Sequence, residues 1–286
     1  MPIEPFHLES PGLRTSSVVF ASPHSGRDYP WSFLRHTVLD EHAIRSSEDA
    51  YVDRLFDCAP ACGAPLLHAG APRAYVDLNR AADEFDPALI EGVRRSGHNP
   101  RVASGLGVVP RVVANGRAIY RGKIPRIEAE RRVAGIWRPY HDKLKSLMTE
   151  GHMLFGEAIL VDCHSMPHEA VEGVARSGQP RPEIVIGDRF GASAAPEIVE
   201  RIEAAFAGAG LVVARNAPFA GAYVTQAYGR PQRGHHAVQV EIDRAIYMDE
   251  RTIRPNANFQ AFRRLLRGVV GEIAEIGRSA QPLAAE

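Results

Sequence analysis

The chain has 286 residues, 34 of them basic and 34 acidic, so its formal charge is zero. That balance argues against a nucleic-acid binder that works through bulk charge, and no apolar run reaches the length of a membrane span. Three cysteines give no disulfide framework, and the N-terminus, MPIEPFHLESPG, lacks a basic, apolar leader, so a cytoplasmic location is expected. One domain over residues 1–286 is the simplest partition, with a disordered tail at about 279–286.

Ser17–Ala21 (SVVFA) reads as a buried strand ending in SPHSGRDYP, where Pro23, Gly26 and Pro30 force a loop. His24 lies just past that strand. Ser47–Cys58 places Tyr51, Val52, Leu55 and Phe56 at helical spacing, with Ser46 or Ser47 as cap. Glu48 and Asp49 then fall in the first turn, to favour the helix dipole or to serve as a carboxylate ligand. Pro65–His68 and Ala74–Leu78 read as two more strands. The second runs into Asn79 and Arg80, a directional donor and a planar fork for a carboxylate. Gly107–Val113 and Arg117–Tyr120 flank Asn115-Gly116, a hairpin turn dipeptide. Pro125 opens a charged helical region that Gly135 and Pro139 should split or kink, and His141 is read there as a packing residue.

Ala158–Pro167 (AILVDCHSMP) is an apolar run that turns polar at its C-terminal end. Open α/β sheets bind ligands outside the carboxyl ends of their strands, which makes His164 a candidate metal ligand. Cys163, its neighbour, should face the other way. His168–Pro182 reads as a flap. Strand, helix and strand then follow at Glu183–Ile186, Ala194–Ala207 and Leu211–Ala214, so the alternation predicts an α/β fold with a mostly parallel sheet. Pro218–Gly229 reads as an irregular pocket wall. Val238, Val240 and Ile242 alternate with Gln239, Glu241 and Asp243 in a further strand. If that strand is central, Glu241 needs a metal, a proton or a partner such as Arg244. Asn256–Arg278 closes the chain as an amphipathic helix.

Two histidines and one carboxylate with an open fourth position are a usual kit for catalytic Zn²⁺. In SPHSGRDYP, SEDAYVDRL, DLNR, VDCHSMP, PFAGAYVT and VQVEIDRAIYMDE, the chain resembles the N-formylglutamate amidohydrolases, enzymes of histidine breakdown. The resemblance implies a mixed, mostly parallel sheet flanked by helices, similar to the zinc carboxypeptidases. It implies His24, Asp49 and His164 as ligands of one zinc ion, Asn79 and Arg80 as binders of a substrate α-carboxylate, and Glu241 as general base. Asp49 is preferred to Glu48 by its place in the motif. A dicarboxylate substrate needs a second cation, for which Arg244, Arg121 and Arg126 are candidates. Two departures stand out: 25 positions separate His24 from Asp49, where carboxypeptidases place their first two ligands as HxxE, and Ala222 stands where the family often has a second glycine. The implied activity is hydrolysis of N-formyl-L-glutamate. Deacylation of another N-acyl amino acid, or a non-catalytic metal- or ligand-binding role for the same fold, stay open at this point.

Overall fold

Val18–Ser22 and Ala158–Met166 are buried along their whole length, as strands covered on both faces must be. The computed structural model describes residues 3–94, 99–173 and 180–278. Within these, β1 (Phe6–Glu9), β2 (Val18–Ser22), β3 (Leu66–Ala69), β4 (Ala158–Met166), β5 (Ile184–Gly187), β6 (Val213–Arg215) and β7 (His235–Asp243) form one sheet. The spatial order is β1-β3-β2-β4-β7-β5-β6. β3, β2, β4 and β7 run parallel, whereas β1 and the β5–β6 pair run the other way. The sheet is therefore mixed and mostly parallel, in an α/β fold. β7, the last of the seven in sequence, lies between β4 and β5.

The helices are α1 (Trp31–His36), α2 (Val52–Leu55), α3 (Pro100–Ala103), α4 (Arg126–Arg132), α5 (Arg138–Phe155), α6 (Glu169–Glu172), α7 (Pro196–Gly208), α8 (Tyr223–Tyr228) and α9 (Phe259–Ile276). Among the described residues, no helix is long and apolar enough to cross a membrane.

Strand periodicity divides the core in two. Ile159, Val161 and Cys163 of β4 join Ile202 and Phe206 of α7 and Leu266 and Val270 of α9 on one face. Leu160 joins Val19, Ala237 and the α5 residues Tyr140 and Leu144 on the other. Burying a leucine such as Leu160 contributes about 2 kcal/mol. The second face changes character along its length: Leu160 is followed by Asp162 and His164, and Ala237 by Gln239 and Glu241. The end of α9 returns to the start of β2. Ser16 Oγ donates to Ala274 O at 2.6 Å, and Ser17 N donates to Gly277 O at 2.8 Å.

Several local expectations are corrected. Ala74–Leu78 is buried but is a turn, because β1, absent from the sequence reading, occupies the free edge of β3. The helix expected over Ser47–Cys58 is one turn, Val52–Leu55. Tyr51 at φ 68° interrupts it, and no side chain caps it. The hairpin around Asn115-Gly116 keeps its turn but reduces to one bridge, Val112–Ala118. Tyr223–Tyr228 is helical, not irregular. The expected flap holds the short α6, and its residues 174–179 lie outside the described residues, as does the tail 279–286. Gly135 and Pro139 do not split the helical region: a π-helical turn, Val133–Trp137, joins α4 to α5 without leaving helical backbone.

Candidate active site

His164 and Glu241 sit opposite each other in the parallel register of β4 and β7. Paired positions share a face, so both side chains emerge where the sheet's apolar face turns polar. His24 enters from the loop after β2. Asp49 comes from the turn before α2, and its backbone N–H donates to the His24 carbonyl at 3.1 Å. That bond makes two residues 25 positions apart immediate neighbours. Arg244 Nη2 holds Asp49 Oδ1 at 2.9 Å, leaving Oδ2 to face both histidines.

Asp49 Oδ2 lies 2.9 Å from His164 Nδ1 and 3.4 Å from His24 Nδ1. One ligand atom from each of His24, Asp49 and His164 fall within 4.8 Å of one another. His24 Nε2 lies 2.7 Å from Asp77 Oδ1, so in the neutral ring Nε2 donates and the lone pair is on Nδ1, which is buried with no hydrogen-bond partner among the described residues. A buried lone pair aimed at a carboxylate is costly unless a cation lies between them. Two imidazole nitrogens and a carboxylate oxygen form a donor set that suits zinc or a neighbouring transition ion. Behind the pair, His164 Nε2 lies 3.0 Å from Asp162 Oδ2 and 3.2 Å from Asn79 Nδ2. Glu48 faces elsewhere, accepting hydrogen bonds from Tyr29 at 2.6 Å and from Arg45.

Burial alone would raise the pKa values of the acids. The hydrogen bonds and charges of His164 and His24 outweigh it at Asp49, and the charges of His24, Arg73 and Arg80 outweigh it at Asp77. Both stay well below the usual carboxylate range. Burial opposes a charge on His164, but Asp162 and Asp49 overcome it and raise its pKa well above the ordinary value. Glu241 is different. Burial dominates and pushes it up to about 7, with Asp49 adding to the rise and His164, Arg73 and Arg244 opposing it. The one hydrogen bond to its carboxylate among the described residues comes from Gln239 Nε2 at 2.8 Å, not from the Arg244 expected as partner.

These groups line a cavity of about 760 Å³ together with Arg73, Arg80, Arg101 and Arg244. Arg80 Nε donates to Leu106 O and Nη1 to Asn79 O, both at 2.8 Å. Arg244 Nε donates to Ser165 Oγ at 3.1 Å. Arg121 and Arg126 are exposed and do not line the cavity, and Arg126 pairs with Glu130. Ala222 forms part of the wall with Pro218–Gly221. Sequence reasoning missed Asp77, Arg73, Arg101 and Asp162. The signal for Asp77 was present: an acid inside the apolar run Tyr75–Leu78 must find a partner.

The family model for N-formylglutamate amidohydrolase matches residues 16–248. An N-formylglutamate deformylase of Pseudomonas aeruginosa is 32% identical over 247 residues, 83% of this chain and 84% of its own. One of Pseudomonas putida is 30% identical over 240 residues, 82% of each. The crystal structure of an N-formylglutamate amidohydrolase from Ralstonia eutropha matches with a TM-score of 0.89 at 34% identity, covering 96% of this chain and 98% of that one. A gene product of Agrobacterium tumefaciens shares the fold at 18% identity, with a TM-score of 0.62 over 95% of each chain. The matched span contains both histidines, Asp49, the Asn79-Arg80 pair and Glu241, and the chain belongs to the N-formylglutamate amidohydrolase family.

Proposed function

We propose that the protein hydrolyses N-formyl-L-glutamate to formate and L-glutamate, using one zinc ion held by His24, Asp49 and His164. The observation that carries this reading is the convergence of those three ligand atoms in an arginine-lined cavity, with Glu241 on the adjacent strand. When bound, the ion supplies Lewis acidity, lowering the pKa of a water to about 7 and polarising a carbonyl oxygen. Glu241, with a pKa of about 7, is tuned for general base work near neutrality. It takes one proton from the attacking water, whose oxygen bonds to the formyl carbon. It returns that proton to the amide nitrogen as the C–N bond breaks, and the second proton of the water passes to the released amine, so that formate and the ammonium form of glutamate leave. Arg73, which lines the cavity and donates through Nε to Asp77 at 3.1 Å, steadies the carbonyl oxygen as it becomes negative. Arg80 takes the α-carboxylate and Asn79 orients it. Arg244 serves the side-chain carboxylate through Nη1, while its Nη2 holds Asp49.

Formate release from N-formylglutamate and acetate release from N-acetylglutamate, measured with and without a chelator, test the reading. The expected result is a preference for the formyl substrate, with activity lost on chelation and restored by zinc. The Glu241→Gln variant should keep its metal and lose at least about 100-fold in kcat. Full activity in that variant removes Glu241 from the mechanism. Activity that survives complete metal removal removes the ion.

A further inference from the structure

The Asn79-Arg80 pair lies in irregular backbone, so neither a ladder nor a helix fixes it. The α4–α5 helix pair does this work with side chains. Arg132 Nη1 donates to Tyr75 O at 3.2 Å, His141 Nε2 donates to Leu78 O at 2.9 Å, and Trp137 Nε1 donates to Arg80 O at 2.9 Å. Three donors from one helix face thus grip one loop, and two of them flank Asn79. The π-helical turn Val133–Trp137 makes this possible. Residues five apart stack across a π turn, as residues four apart do in an α-helix, so Arg132, Trp137 and His141 fall in line. The Trp137 and His141 rings lie 4.0 Å apart. Tyr228 of α8 donates its hydroxyl proton to His141 Nδ1 at 2.9 Å, which leaves the imidazole proton on Nε2 for Leu78. Also from α8, Val224 N donates to Asn79 Oδ1 at 2.8 Å.

We propose that Trp137 and His141 are positioning residues for substrate binding: acting through the main-chain carbonyls of Arg80 and Leu78, they hold the Asn79-Arg80 pair where it meets the substrate α-carboxylate. This rests on the reading of Arg80 given above. A lost neutral hydrogen bond of this kind is worth about 1 kcal/mol, or roughly five- to tenfold in affinity.

Steady-state kinetics on the zinc-loaded enzyme with N-formylglutamate test it, using Trp137→Phe, His141→Leu, His141→Gln and Arg80→Lys. Trp137→Phe keeps an aromatic ring and loses the indole donor together with part of the ring's contact area. It and His141→Leu should raise KM five- to tenfold with kcat within about twofold. His141→Gln, which restores a donor near the Nε2 position, should return KM toward the parent value. Inhibition by N-formyl-4-aminobutanoate, which lacks the α-carboxylate, should be the same in parent and Trp137→Phe. An unchanged KM in Trp137→Phe and His141→Leu, beside a raised KM in Arg80→Lys, overturns the positioning role alone, whatever happens to the melting temperature. An unchanged KM in Arg80→Lys overturns instead the assignment of the α-carboxylate to Arg80.

Discussion

At His24, the nitrogen turned away from Asp49 donates to Asp77, and that carboxylate is itself fixed by Arg73 Nε at 3.1 Å and by the Asn79 backbone N–H at 2.8 Å. An outer carboxylate of this kind sets the tautomer and orientation of a ligand histidine. Asp77→Asn keeps the size and removes the charge, so metal affinity should fall about 10- to 100-fold, read by competition with a chromophoric chelator. An unchanged affinity would deny Asp77 that role. At this scale the sequence was informative where polar residues end an apolar strand, as at His164, Glu241 and His24. It was silent where a residue reaches the site through a turn. Asp77 and Arg73 lie in a segment whose apolar residues are buried like those of a strand, and nothing in that local pattern shows the edge to be occupied by Phe6–Glu9.

α5, which follows the π-helical turn, carries His141, whose packing role was legible from the helical pattern while its carbonyl partner 63 positions away was not. Burial lowers the His141 pKa to about 4, against the hydrogen bond to Leu78 O. The sign follows from linkage. The unfolded chain binds the proton below its ordinary value of about 6.5, and the folded chain refuses it until about pH 4. Stability from this group is therefore complete above about pH 6.5 and declines through the window down to pH 4, by a total of about 3 kcal/mol. Urea unfolding at pH 7 and pH 4.5 should show the decline, and His141→Gln should show a smaller one. Equal declines in the two proteins would mean that the imidazole titrates freely in the fold. The short α2 shows a different limit on legibility. The apolar spacing of Tyr51–Phe56 is real, but the Asp49 N–H is committed to His24 O, and Tyr51 turns left-handed to allow it. A tertiary hydrogen bond overrode local propensity there.

Across the whole molecule, the alternation of strands and helices made the sheet and its mostly parallel character readable. The order of its strands was not, because nothing local says that β7 enters between β4 and β5. The tie between the first central strand and the last helix is also a long-range fact. A Cβ on Gly277 would come within 2.5 Å of Ser17 Oγ and 2.8 Å of Ser17 N. Gly277→Val should therefore cost about 1–3 kcal/mol through overpacking, measured as a lower urea midpoint with an unchanged m-value. Wild-type stability in that variant would mean that the end of α9 is free to move off β2.

The insertion of β7 has a bearing on how the protein is made. A ribosome delivers β4, β5 and β6 well before residue 235, yet β5 hydrogen-bonds in this sheet only to β6 and to β7. Until that late segment emerges, two halves of the sheet present raw edges to one another with the Glu241-bearing strand missing between them. Before then His24, Asp49 and His164 can meet through the β2–β4 pair while the Glu241 side of the cavity is still missing, and the chain has most need of chaperone cover during the final quarter of translation.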